Sequence, residues 1–354
     1  MSATLQLCPP YLLFLGDVPT QVYAKTALGI MQWAPEACVA QLRFTDCPID
    51  TGLPDMTPAE ASAAGANSLI IGSAPVGGAL QDNWLPTLLE AIAAGMDIVS
   101  GLHTPLSTYP MLREAADNYG VRLIDVRVPP EGIPIGTGQR RTGRRLLTVG
   151  TDCSVGKKYT ALALSQAMQQ RGLACDFRAT GQTGIMIAGS GIPIDAVVAD
   201  FIAGAAESLS PNNDAEHWDI IEGQGSLFQP AYAGVSLGLL HGAQPDALVL
   251  CHDPARAQMI GCPEHGIPDI QTCIDTHLQM ARLTNPDVCC VGVSVNTSTL
   301  SSAQRAETLQ QISEQTGLPC VDPIIDGVGA IIENLLAVFD EAALEETLCI
   351  SHKD

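Results

Sequence analysis

Short apolar runs recur along this 354-residue chain, each separated from the next by a stretch long enough for a helix. In the first part they are Tyr11 to Leu15, Cys38 to Arg43, Ser68 to Ile71, Asp97 to Ser100 and Arg122 to Val126, with helix-like segments between them. Strands that alternate with helices predict a largely parallel, doubly wound sheet. The alternation then resumes. Strands are expected at Arg145 to Val149, Cys175 to Ala179, Asp219 to Glu222, Ala247 to Cys251, Val288 to Val295 and Pro319 to Val321. Helices are expected at Val155 to Gln170, Asp195 to Ala206, Asp269 to Leu283, Ser302 to Thr316 and Val328 to Val338. Between the two series lies Pro129-Pro130-Glu131-Gly132-Ile133-Pro134-Ile135-Gly136-Thr137-Gly138. Proline removes ladder and helical hydrogen bonds and glycine loosens the chain, so two α/β domains are expected, residues 1–138 and 139–354.

Several strand ends carry glycine and small polar residues, as in Gly72-Ser73-Ala74-Pro75-Val76-Gly77-Gly78 and Ser100-Gly101-Leu102-His103-Thr104. Ligands sit at the carboxyl ends of strands in such sheets, yet tight turns need glycine too, and both readings stay open. Arg140, Arg141, Arg144 and Arg145 follow the boundary segment. They suit either an anionic ligand near the next strand end or a solvated, ion-pairing stretch.

Composition narrows the field. With 17 Lys and Arg against 38 Asp and Glu the formal charge is -21, which repels a polyanion, so nucleic acid is not an expected partner. The 12 cysteines are scattered without a CxxC pair or a Cys/His cluster, as reduced core residues would be. No uninterrupted apolar run reaches membrane-spanning length, and Met1 to Leu15 lacks the basic flank and cleavage pattern of an export signal. The expected setting is cytoplasmic, with small-molecule substrates and further copies of the chain as a homo-oligomer for partners, and no membrane.

Chemistry concentrates at Gly150-Thr151-Asp152-Cys153-Ser154-Val155-Gly156-Lys157-Lys158-Tyr159, between an apolar strand and a helix. That is the setting of a phosphate-binding P-loop: glycines let the backbone curl, amides turn towards phosphate oxygens, and the helix N-terminus and Lys157 add positive charge. Five residues rather than four separate Gly150 from Gly156, a spacing that resembles dethiobiotin synthetase. Where the ordinary motif places a Ser or Thr hydroxyl for Mg²⁺ stands Lys158, and Thr160 lies too far along the helix to replace it. No metal is expected, and a phosphate ligand that is held but not cleaved, such as coenzyme A, fits better than hydrolysed ATP. Cys153 at a helix N-terminus favours a thiolate and permits an acyl-cysteine; packing is the alternative.

Four further strand ends add candidates. Glu222-Gly223-Gln224-Gly225-Ser226 resembles the Glu-Gly-x-Gly of dethiobiotin synthetase, with Glu222 placed as a base and the Gly225 and Ser226 amides as oxyanion donors, or else a simple turn. In Arg178-Ala179-Thr180-Gly181-Gln182-Thr183-Gly184, the fork of Arg178 suits a carboxylate or a surface ion pair, with Gln182 and Thr183 as polar contacts. His252-Asp253 offers a second base or a structural histidine. Val293-Ser294-Val295-Asn296-Thr297-Ser298 ends a strand in polar residues that suit a base or a helix cap.

Taken in order behind a Rossmann-like N-terminal half, these motifs resemble the D-glutamate N-acetyltransferase family (DgcN) over nearly the whole length. The resemblance implies a Rossmann-like parallel sheet followed by a P-loop NTPase-like doubly wound sheet. It also implies transfer of acetyl from acetyl-CoA to the amine of D-glutamate. Under that reading Glu222, or else His252, is the base, and Lys157 or the Gly225 and Ser226 amides stabilise the oxyanion. Arg178, Gln182, Thr183 and Gln224 then hold the amino acid, and residues 150–159 hold the cofactor. The alternatives are a Mg-ATP-dependent ligase or kinase, and a nucleotide-binding protein without catalysis.

Overall fold

The computed structural model describes residues 5–73 and 79–350, so Ala74 to Gly78 of the glycine-rich loop named above lie outside the described residues. The chain forms two compact units, residues 1–131 with 181–196, and residues 132–180 with 197–354.

In the first unit the elements are β1 (Leu5–Gln6), β2 (Tyr11–Gly16), α1 (Lys25–Trp33), β3 (Cys38–Arg43), α2 (Pro58–Ala63), β4 (Ser68–Ile71), α3 (Leu85–Ala93), β5 (Asp97–Ser100), α4 (Pro110–Tyr119) and β6 (Leu123–Asp125). The sheet is parallel throughout, in the order β3-β2-β4-β5-β6. β2 is buried at every position, so both faces of the sheet are covered, which is why its strands read as continuous apolar runs rather than alternations. The helices start and stop where local chemistry dictates. Thr57 and Glu60 form a reciprocal cap at the start of α2, and Gly120 takes the left-handed conformation that ends α4. Phe14 meets Trp84 edge to face, ring centres 5.2 Å apart, at the middle of the core.

The second unit begins with β7 (Arg144–Gly150), α5 (Lys157–Gln170) and β8 (Cys175–Arg178). The chain then contributes α6 (Gln182–Ala188) and β9 (Ser190–Gly191) to the first unit, where β9 pairs antiparallel with β1 and α6 packs on α1. It returns through α7 (Ile202–Leu209), β10 (Trp218–Ile221), α8 (Ala233–Ala243), β11 (Ala247–His252), the hairpin of β12 (Gln258–Met259) and β13 (Cys262–Gly266), α9 (Ile270–Ala281), β14 (Cys289–Val295), α10 (Ser302–Thr316), β15 (Cys320–Val321) and α11 (Gly329–Ile350). The six-stranded sheet β15-β14-β11-β7-β10-β8 is also parallel. After β7 the chain builds first to one side and later to the other, so the carboxyl end of β7 is the switch point where such sheets bind ligands.

Two sequence expectations change. The helix expected over Asp195 to Ala206 is broken, because Val198 is extended and two 3₁₀ turns, Ile194–Ala196 and Ala199–Phe201, precede α7. α8 was not expected, since three glycines in eleven residues depress helix propensity. Two of those glycines let α8 approach α7 closely: a Cβ on Gly242 would lie 2.2 Å from the Ala203 carbonyl, and one on Gly238 2.6 Å from Ile202.

The arginines, open between an anionic ligand and an ion-pairing stretch, sit at the amino end of β7, about 20 Å along the strand from the P-loop. They bind protein rather than a ligand beside that loop. Arg141 donates to the carbonyls of Glu207, Ser210, Gly242 and Ala243 at the ends of α7 and α8. Arg145, 3% exposed, donates to the carbonyls of Arg141, Thr142, Gly143 and Pro211 and to the Ser210 hydroxyl. Arg140 pairs with Asp246 and Asp287, and Arg144 pairs with Glu216 and lies over Trp218.

Candidate active site

Gly150 ends β7, and the chain curls through residues 151–156 into α5. Two left-handed residues make the curl, Ser154 at φ 54° and Gly156 at φ 108°; for a serine that conformation has to be held by its surroundings. The Thr151 amide donates to the Cys251 carbonyl and the Cys153 amide to its neighbour's carboxylate, Asp152 Oδ1 at 2.7 Å. The next four amides, of Ser154, Val155, Gly156 and Lys157, find no hydrogen-bond acceptor among the described residues. Consecutive donors without acceptors at the N-terminus of a fourteen-residue helix form a cradle for an anion. The cradle is narrower than the sequence implied, since Cys153 and Thr151 spend their amides internally.

Lys157 is 6% exposed, and its Nζ donates to the Asp152 carbonyl at 2.8 Å. Burial pushes its pKa below the usual lysine value. Lys158 lies over the Tyr159 ring, 4.7 Å from its centre. Thr160 is fully buried and bonds the Gly156 carbonyl and the Ser294 hydroxyl, so it turns away from the loop and supplies no metal ligand there. For Cys153, burial pushes the thiol pKa up and outweighs Lys157, which works against the thiolate and favours the packing alternative.

The Glu222-Gly223-Gln224-Gly225-Ser226 turn, at the end of the adjacent strand β10, lies beside the P-loop. A Cβ on Gly223 would sit 1.7 Å from the Thr148 carbonyl and 3.0 Å from Lys157 Cδ, so only glycine lets this turn cross β7 and the lysine stem pass. The Gly223 amide donates to Thr148 Oγ1 at 2.9 Å. Glu222 is 4% exposed; its Oε2 accepts the Thr180 amide at 3.0 Å, and its carbonyl accepts the Thr180 hydroxyl. Gln224 donates to the same hydroxyl at 3.0 Å. Gly225 is left-handed at φ 60°, and the amides of Gly225 and Ser226 meet no acceptor among the described residues, as oxyanion donors require. A small pocket joins Gly150 to Gly223, Gln224, Gly225, Ser226 and the buried His277.

On the other flank, His252 closes β11, with its Nδ1 3.1 Å from Thr151 Oγ1. Burial lowers its pKa, against the pull of Asp253, and favours the neutral ring. Asp253 does not orient the histidine. It accepts from the Ala255 amide and from Arg256 Nε, and Arg256 in turn reaches Asp152 and the carbonyls of Cys153 and Ser154. Sequence reasoning missed Arg256, because an arginine in a turn after a strand carries no spacing signature. In the polar end of β14, the Asn296 amide donates to the His252 carbonyl, and Thr297 bonds Asp322.

Arg178 does not join this group. Its guanidinium lies against Asp219 at 2.8 Å and Asp176 at 3.0 Å, residues nearer the amino ends of their strands, where a substrate carboxylate would displace existing partners. Gln182 and Thr183 open α6 and belong to the first unit, where Thr183 Cγ2 would lie 3.5 Å from a Cβ on Gly29.

No helix among the described residues is long and apolar enough to cross a membrane. Two family models match: a P-loop domain described as the DUF1611 C-terminal domain of unknown function, over residues 134–332, and a Rossmann-like DUF1611 N-terminal domain over residues 42–129. A protein from Pseudoalteromonas sp named D-glutamate N-acetyltransferase is 51% identical, covering 94% of this chain and 100% of its own. One of the same name from Tritonibacter scottomollicae is 49% identical over 93% of this chain and 99% of its own. A crystal structure of a DUF1611 family protein from Anabaena variabilis superposes with a TM-score of 0.80 at 32% identity, covering 93% of this chain and 100% of that one. The fold, the order of the strand-end motifs and relatives half-identical over nearly the full length agree: this chain belongs to the D-glutamate N-acetyltransferase family, with its Rossmann-like and P-loop DUF1611 domains.

Proposed function

We propose that this protein transfers the acetyl group of acetyl-CoA to the amine of D-glutamate, giving N-acetyl-D-glutamate and CoA. The names of its half-identical relatives support D-glutamate N-acetylation. The observation that carries the choice of donor is the run of amides from Ser154 to Lys157 without acceptors, beside two lysines and with no hydroxyl at the usual magnesium position. CoA presents a diphosphate that such a cradle holds without cleaving it. The amides of Ser154 to Lys157 hold that end, and the transferred acetyl group is the chemistry the donor supplies.

D-glutamate arrives as an ammonium and attacks only after losing a proton. Glu222 is the first candidate base, a carboxylate at the end of β10 beside the P-loop, and His252, kept neutral by burial, is the second. The freed amine forms a C–N bond to the thioester carbonyl while the Gly225 and Ser226 amides take the oxyanion charge. Collapse breaks the C–S bond; the nitrogen passes its second proton to the departing CoA thiolate, which leaves an amide and free CoA thiol, and the proton held by the base goes to solvent. Gln224, whose amide donates to the Thr180 hydroxyl, contacts the amino acid in this reading.

The test is thiol release from acetyl-CoA against a panel of D- and L-amino acids, with and without EDTA, with ADP release from Mg-ATP measured in parallel. Metal-independent thiol release with D-glutamate is expected. ADP release without thiol release would replace the transferase by an ATP-dependent ligase, and neither product would leave a binding protein.

A further inference from the structure

We infer that Arg256 is a positioning residue that holds the P-loop in its anion-accepting shape, and so governs the grip on the diphosphate end of the donor rather than the transfer step. The inference rests on the donor proposed above.

Arg256 lies in the turn between β11 and the β12–β13 hairpin, outside every phosphate-binding motif in the sequence. Its Nη1 donates to the Cys153 carbonyl at 2.7 Å and to Asp152 Oδ2 at 3.2 Å, and its Nη2 donates to the Ser154 carbonyl at 2.8 Å. Asp253 braces Nε at 3.2 Å. Every one of these contacts is to the protein. In a cradle whose amides point inwards, the carbonyls of the same peptides must point out, and each outward carbonyl needs a donor. One planar guanidinium supplies donors to two successive carbonyls, which holds Ser154 in its left-handed conformation.

The second observation is electrostatic. Asp152 is fully buried within a loop built for an anion, and its carboxylate opposes any phosphate placed there. Arg256 compensates that charge from behind, helped by the Ile260 amide at 2.8 Å on the same carboxylate. The hairpin is thereby tied to the loop through one arginine and one amide.

The experiment compares Arg256→Ala with wild type by calorimetric binding of CoA, inorganic pyrophosphate and pantetheine, and by steady-state kinetics with acetyl-CoA and S-acetyl-pantetheine. Affinity for CoA and for pyrophosphate should fall on the order of 30-fold, and pantetheine affinity should stay within about twofold. The acetyl-CoA KM should rise while kcat is retained. Unchanged pyrophosphate affinity, or equal losses for CoA and pantetheine, would overturn the inference. The pyrophosphate arm does not depend on the donor: a wild type that binds pyrophosphate but not CoA removes the donor and leaves the clamp to be judged on pyrophosphate alone. A wild type that binds neither removes both. Should the alanine variant not fold, Arg256→Lys decides, because it keeps the charge near Asp152 but cannot bridge two carbonyls; CoA affinity equal to wild type would then overturn the clamp.

Discussion

At Glu222 two demands meet, for a proton acceptor beside the P-loop and for a turn that clears β7. The second is met by Gly223, whose missing side chain lets the chain pass the Thr148 carbonyl. The first predicts a kinetic signature. Glu222→Gln keeps the size of the side chain and an acceptor for the Thr180 amide but cannot take a proton, so kcat should fall at least about 100-fold with the KM for acetyl-CoA little changed. A pH–rate profile then separates the two candidates: a pH-dependent residual activity of Glu222→Gln that disappears when His252→Asn is added assigns the remaining proton transfer to His252. Normal turnover of Glu222→Gln at every pH would remove it as the base. Both residues were legible in the sequence because each closes an apolar strand. Arg178 was left open between a carboxylate ligand and an ion pair, since position in the strand does not reveal that its side chain runs back to Asp176 and Asp219.

Among the elements, strands buried on both faces gave the clearest signal, and β3, β4 and β5 fall where the apolar runs place them. What stayed hidden were elements whose residues serve a neighbour. The glycines of α8 lower its own helix propensity while permitting its close crossing with α7. The arginine cluster stayed open between a ligand site and an ion-pairing stretch because a single sequence does not show that four of its targets are carbonyls at helix ends. Those carbonyls lack partners within their own helices, and Arg141 satisfies them in α7 and α8 together, complementing both dipoles. The cost is visible in the guanidinium itself, whose pKa burial and Arg145 push down to about 10. Arg141→Met should therefore lose about 3 kcal/mol in urea unfolding, since several buried carbonyls are left without a donor at once. CoA affinity of the folded variant should be unchanged, because the arginine sits at the opposite end of β7 from the cradle. A loss under about 1 kcal/mol would mean that water replaces the arginine at little cost.

For the molecule as a whole, acidity and burial act on stability in opposite directions as pH changes. A formal charge of -21 repels itself, and protonating surface carboxylates relieves that repulsion. His277 works the other way. It is 2% exposed, with Nδ1 2.7 Å from the Cys273 carbonyl and Phe228 nearby, and burial pushes its pKa down to about 4 from an ordinary 6.5. The folded protein thus keeps the ring neutral where the unfolded chain protonates it. Between pH 6.5 and 4 the unfolded state binds more protons, so the stability contributed by the neutral ring is complete above pH 6.5 and is lost as pH falls towards 4. The full effect is about 3 kcal/mol, from 1.4 kcal/mol per pH unit over the shifted range. His277→Asn keeps a donor near the Cys273 carbonyl but has nothing to titrate in this range. Its stability should lie below that of wild type at pH 8 because packing is lost, and the gap should narrow as the pH is lowered from about 6.5 to 4, the interval over which the wild type alone pays for a buried proton acceptor. Calorimetric unfolding of both proteins at several pH values measures that gap directly, and surface carboxylates, common to both, cancel in the difference. A gap that stays constant from pH 8 to 4 would show that the ring takes its proton as readily in the fold as in the unfolded chain.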